Sequence, residues 1–429
     1  MAKRYKLKRS IGLFQATLYG IGIILGAGIY ALIGAGAGIA GNALWLSFLI
    51  AAFIASLTGL SYAELASMYP KEAAEYVYTK KAFNRKTLSF VVGWVMLVVG
   101  VVSAATVALG FGGYFSYMIG GPPILIAGVL IVLLSFLNYW GMKESAEFNV
   151  VSTVAEVAGL IIIIALGMYF FGTSGISENF LEVPETVGAA GILSATALIF
   201  FAFIGFEQVA NISEETKDAK KVIPKALIIS IVVTTIIYIL VTVSAIGILG
   251  WESLSQSKAP LTEVVGRLLG SDASLFMTIL ALFATSNTVL VLLIVTSRIL
   301  YGISCQHSLP KVCKKIGKRG TPYIAISLVM VFSILSLFIG GIATVALLTT
   351  IGTFIAYLFV NLSLIWLRFK KPRARRPFKA PLNIGRFPVL AFLGVIVCGA
   401  MMFYFEPSLL LFELIVVLVG IGIYKIFNK

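Results

Sequence analysis

Charge is scarce in this sequence. Only 12% of its 429 residues are Asp, Glu, Lys or Arg, against 59% apolar, too few to cover a water-soluble globule of that size. Histidine is scarcer still, with His307 the single example. No histidine-paired nucleophile, Walker loop or cluster of metal ligands is visible, which argues against a membrane enzyme or a primary pump and calls for no cofactor. Of the three cysteines, Cys305 and Cys313 share one basic loop and Cys398 lies in an apolar run, so no exterior disulfide can form. Cys305, His307 and Cys313 hint at zinc, but a fourth ligand is missing and the spacing fits no common finger. A solvated loop is the simpler reading. A repeated selectivity-filter motif is absent as well. The first apolar run has no small-residue cleavage site, so no cleavable leader is expected.

What the chain does have is long apolar runs, at a mean hydropathy of +1.02. Stretches long enough to cross a bilayer fall near 11–36, 42–68, 88–118, 122–139, 147–172, 190–212, 224–250, 272–303, 322–340, 343–367, 388–406 and 407–426. They predict an all-α polytopic membrane protein, one transmembrane domain over 1–429 with twelve transmembrane helices. The net charge of +15 is then a topology signal and not the footprint of nucleic acid. With both termini cytoplasmic, every Lys and Arg except Lys258, Arg267 and Arg298 falls in or beside an inner segment, as the positive-inside rule requires. Contact of these basic loops with anionic lipid follows from that orientation.

Within the first span, GIGIILGAGIYALIGAGAG from Gly20 to Gly38 carries seven glycines. A helix so poor in side chains is expected to break, most readily at GAGIY from Gly26 to Tyr30. Backbone groups freed inside a membrane persist only where they are packed in protein or line a watery cavity, so the break is a candidate ligand site. Five spans later, IFFAFIGFE from Ile199 to Glu207 places Gly205 and a carboxylate in another apolar helix. Under this topology helices one and six run in opposite senses. The halves 11–172 and 190–367 can therefore be inverted copies, although no letter-by-letter repeat is visible, and paired interruptions in two halves point to a transporter's binding site. Runs 388–406 and 407–426 look accessory, with contact in a homodimer one use open to them. The segment after helix two reads as a short surface helix, and Trp251 opens an outer loop.

Five segments together resemble the amino acid permease branch of the amino acid, polyamine and organocation transporter superfamily: GIGIILGAGIY, SYAELASMYP, FFAFIGFEQVANISEETKDAKKVIPKA, SRILYGISCQHSLPKV, and IGTFIAY with RRPFKAP. The resemblance implies a five-plus-five inverted repeat of the leucine-transporter-like kind, helices 1–5 and 6–10, with alternating access around a midplane site. It implies that amides of Gly26, Ala27 and Gly28 hold an amino acid's carboxylate, where a half-helix N-terminus supplies positive potential. The ammonium would meet carbonyls near Ile23, Phe201, Ala202 and Ile204, with Phe201 as an aromatic lid. Where many relatives carry a helix-five lysine, this chain has Glu156. With hydroxyls such as Thr285 and Ser286 and carbonyls of helix one it is expected to form a proton or sodium site; the alternative is a protonated carboxyl used in packing. Val99 stands where the cationic branch often has an acid, favouring neutral substrates, and PKEAAEY replaces the usual small residues after helix two.

The resemblance also implies a role for Glu207, after the second break, since an acid there in relatives is linked to proton sensing or gating; the alternative is a cap for frayed amides. Glu64 and Arg298 are expected to pair at the inner gate. Glu413 is expected near the outer interface. The function these readings favour is secondary, proton-coupled uptake of neutral amino acids across the plasma membrane. An exchanger, or a sodium-coupled, cationic amino acid or polyamine transporter, is the near alternative. An amino-acid-sensing receptor or a channel is the alternative of another class.

Overall fold

The computed structural model describes residues 11–71, 74–140, 142–175, 179–180, 188–214, 216–305, 309–317 and 319–427. His307 lies outside them. The chain is almost wholly helical: α1 Leu13–Ala40, α2 Leu44–Met68, α3 Ala74–Phe83, α4 Lys86–Ile119, α5 Pro123–Trp140, α6 Met142–Ser174, α7 Gly188–Ile199, α8 Gln208–Asn211, α9 Ala219–Leu249, α10 Trp251–Gln256, α11 Pro260–Leu269, α12 Ser271–Cys305, α13 Tyr323–Ser336, α14 Ile342–Lys370, α15 Val389–Met401 and α16 Pro407–Phe427. Helices dominate because a helix satisfies its own backbone where no water can. Among the described residues, nine helical segments are long and apolar enough to cross a membrane, and Leu13–Gly26, Tyr323–Ser336 and Val389–Tyr404 are shorter apolar helices.

Helix α4 sits at the centre, packed along α12, α14 and α5, while α1 lies against α9, α7 and α10. Peripheral α16 rests on α4 and α14 and leaves Leu411, Leu414, Ile415 and Leu418 exposed, as a lipid-facing helix does. Both anticipated breaks are present. In α1, Gly26 leaves helical geometry at φ 11°, ψ −171°. Helix six splits into α7, a 3-10 turn at Phe200–Phe203, an extended Ile204 (ψ 131°) and, beyond Gly205, the short α8.

Two expectations need correction. The segment after α2 does form a helix, α3, but it docks instead of lying on the surface, burying Ala74, Glu75, Tyr78, Thr79 and Ala82 against α14 and α4. The loop expected from Trp251 is a pair of helices, α10 and α11, seated over the second half of α1. The Leu254 carbonyl comes so near Gly34 that a β-carbon there would lie 2.7 Å from it. Beyond α14, the basic run ends in a small antiparallel hairpin pairing Asn383–Ile384 with Phe387–Pro388.

Candidate substrate site

The two interruptions face each other. A β-carbon on Gly28 would fall 2.5 Å from Cα of Ala202, and one on Gly205 would fall 2.5 Å from Cγ2 of Ile23. Each broken segment thus presents a glycine where the other passes. Gly205 also has φ +124°, a conformation that residues with a β-carbon rarely adopt. Beside this crossing lies a partly open cavity of about 320 Å³. It reaches from the breaks along α1 towards Leu18 and Tyr19, the side on which the helix begins. Over the opposite half of α1 sit α10 and α11, and the Tyr114 hydroxyl donates to the Tyr30 carbonyl at 2.9 Å.

Of the residues singled out from sequence, Ile23, Gly26, Gly28, Phe201, Ala202, Ile204 and Glu207 line this cavity. The side chain of Ala27 lies outside the described residues. The remaining wall is mostly apolar, with Val107, Val291 and Leu292 among it, and Ser103 supplies a hydroxyl that is buried without a hydrogen-bond partner among the described residues. Among the described lining residues only Glu207 is ionisable as an acid or base, apart from the phenol of Tyr19. Its carboxylate accepts the Gly205 amide at 2.9 Å and the Tyr357 hydroxyl at 2.8 Å. It thereby pins the second break to α14.

Glu156 lies apart from the cavity walls, fully buried on α6, and neither carboxylate oxygen has a hydrogen-bond partner among the described residues. Thr285 and Ser286, expected to join it, donate instead to the carbonyls of Ala281 (2.7 Å) and Phe283 (3.0 Å) on their own helix. The Tyr30 hydroxyl reaches the backbone carbonyl of Glu156 at 2.7 Å. A bare ionised carboxylate would be costly in these surroundings, so the site needs a proton or a cation.

The pairing of Glu64 with Arg298 is not formed. Glu64 accepts Nε of Arg368 at 2.7 Å and the Ala380 amide at 2.8 Å. Nε of Arg376 approaches it to 3.0 Å, an ionic contact without hydrogen-bond geometry. Arg298 donates to Asn138 at 3.2 Å and to the Ile294 carbonyl at 2.9 Å. Glu64 faces the end of α14, whereas Arg298 faces α5. Glu413 is likewise displaced from expectation. It is buried, with Oε1 3.1 Å from where a β-carbon of Gly352 would sit.

Sequence reading passed over Glu75, Tyr62, Tyr238 and Tyr357. Glu75, in the first turn of α3, accepts the Tyr62 hydroxyl at 2.9 Å. Tyr62 in turn meets Tyr357 edge to face, centroids 5.8 Å apart. Burial, with the nearby Glu207 charge adding to it, pushes the Glu75 carboxyl up to about 7 from 4.5, although its own backbone amide and Tyr62 pull it down. Glu75 therefore holds its proton more tightly when α3 is docked. Docking is strongest below about pH 4.5, weakens as pH climbs towards 7 and is level beyond. Trypsin cleavage after Lys80 and Lys81, normalised to Glu75→Gln, should quicken several-fold, at most about ten-fold, between about pH 6 and 8. A flat ratio would refute it.

These features define a polytopic membrane protein with a ligand-sized cavity at paired helix interruptions. The sequence model of the amino acid permease family matches residues 11–423, and the chain belongs to that family. The branched-chain amino acid permease BcaP of Bacillus subtilis is 29% identical over 99% of this chain and 94% of its own length. A methylthioribose transporter of the same organism is 27% identical over 100% of this chain and 95% of its own. Cationic amino acid transporter 4 of Mus musculus is 29% identical over 85% of this chain and 60% of its own. The chain is accordingly a transport protein and not an enzyme.

Proposed function

We propose that the chain is a secondary transporter that moves neutral amino acids across the plasma membrane by alternating access, coupled to a proton. One observation carries this reading: opposite helix ends meet at the cavity. The second half of α1 begins at Gly26 and offers amide groups with positive potential, while the 3-10 end of helix six at Phe203 offers carbonyls with negative potential. A zwitterionic amino acid presents complementary charges, with its carboxylate towards Gly26, Ala27 and Gly28 and its ammonium towards the helix-six end. The apolar wall suits an apolar side chain, in keeping with the likeness to a branched-chain permease. The single lining carboxylate, Glu207, is already engaged by two donors, which disfavours a cationic side chain. We assign twelve spans, two inverted halves and cytoplasmic termini to it, and Glu156 as the proton carrier.

Purified protein in liposomes should take up leucine or valine saturably, faster when the lumen is preloaded with amino acid and when an inward proton gradient is imposed. Non-saturable flux without counterflow would indicate a channel and end the proposal. Glu156→Gln should retain counterflow while losing the stimulation by the proton gradient. Equal stimulation in variant and parent would remove Glu156 from coupling.

A further inference from the structure

One phenol lies at the junction of both broken helices. The Tyr238 hydroxyl, on α9, reaches the Ile24 carbonyl, the Leu25 carbonyl at 3.2 Å and the Ala202 carbonyl at 2.9 Å. Ile24 and Leu25 immediately precede the interruption at Gly26, and Ala202 lies three residues before Gly205. These are positions at which a helix end leaves its carbonyls without partners from the next turn. A hydroxyl carries one proton, so three acceptors from two segments share a single donor. The ring itself is fixed: Tyr238 is fully buried, and Phe48 and Phe203 pack on it with centroids 5.3 Å away. Its helix runs without a break from Ala219 to Leu249.

We infer that Tyr238 is a positioning residue that ties the two interruptions into one unit and so fixes the amides and carbonyls around the amino acid. The Glu207 contacts anchor the second break to α14 and to its own Gly205 amide. Tyr238 bonds to carbonyls on both sides of the crossing. The inference rests on the proposed amino acid site for its kinetic consequence, and on geometry alone for its structural one.

Tyr238→Phe removes the oxygen and keeps the ring. In full-length protein, hydrogen exchange should accelerate together in peptides covering residues 20–30 and 199–207. The apparent KM for leucine should rise about ten-fold, as the loss of a donor to buried carbonyls implies, with kcat changed by less than about two-fold. Phe90→Leu, which opens the packing against Tyr424 on α16 and leaves Tyr238 and its ring contacts intact, should lower the melting temperature without moving KM. Exchange that quickens at one interruption only, or at neither, overturns the inference, as does an equal rise in KM for Phe90→Leu. If the parent protein transports no amino acid, the transport proposal fails, and the exchange result still decides whether Tyr238 joins the two segments.

Discussion

Truncating Glu64 to alanine should destabilise the protein by about 3–5 kcal/mol, the cost of leaving a buried charge without its partner. The carboxylate is fully buried and Arg368 is 3% exposed. The pair is doubly bonded, Nε to Oε1 and Nη2 to Oε2, the geometry that gives guanidinium and carboxylate their strongest contact. Arg368 also donates to Asn383 at 2.9 Å, and the Ala380 amide adds a third donor to Glu64. One carboxylate thus holds the end of α14 and the segment beyond it against α2. Glu64→Ala deprives Arg368 and Arg376 of their common counter-charge. A large fall in the thermal midpoint in detergent is the expected result. Glu64→Leu combined with Arg368→Leu should recover much of that loss, because an apolar pair carries no stranded charge. A single variant that melts with the parent would show the pair to be dispensable.

Both breaks were legible because glycine in an apolar run has few explanations: Gly26 and Gly205 stand where leucine or valine would serve a plain helix. The partner of Glu64 was not. Spans give depth and side, but the direction in which a side chain leaves a helix turns by about 100° per residue, so Glu64 could be set at the right depth yet aimed at the wrong neighbour. The run from Arg368 to Arg386 read only as basic, since its folding back through the Asn383–Pro388 hairpin depends on chain direction after α14. Helices α10 and α11 escaped for a different reason. They are short, and charges such as Glu252, Glu263 and Arg267 make such segments resemble loop. Tyr238 is one of 17 tyrosines, and nothing near it in sequence marks the carbonyls it serves 36 and 214 residues away. Glu413 read as interfacial from its place in the last helix, whereas packing of α16 on α4 and α14 buries it.

Gly28→Val should abolish transport while leaving the protein folded. Even the first carbon of a side chain at this position would sit 2.5 Å from Cα and 2.8 Å from Cβ of Ala202, well inside van der Waals contact. The obstacle is backbone, so no rotamer of a neighbour relieves it. The broken segments would have to part, carrying the Gly26–Gly28 amides away from the helix-six carbonyls they oppose. Overpacking of this kind costs about 1–3 kcal/mol, and its upper end corresponds to about a hundred-fold loss in affinity. The substrate-induced rise in melting temperature should vanish, since only a ligand that binds the folded form stabilises it. Gly205→Ala should act in the same direction through two causes at once: its β-carbon would lie 2.5 Å from Ile23 Cγ2, and φ +124° strains any residue other than glycine. Combining Gly28→Ala with Ala202→Gly removes the 2.8 Å contact but not the 2.5 Å contact with Cα. That double variant should therefore recover only part of the uptake lost by Gly28→Ala. A full thermal shift and undiminished counterflow in Gly28→Val would show that the close crossing is not where the amino acid binds.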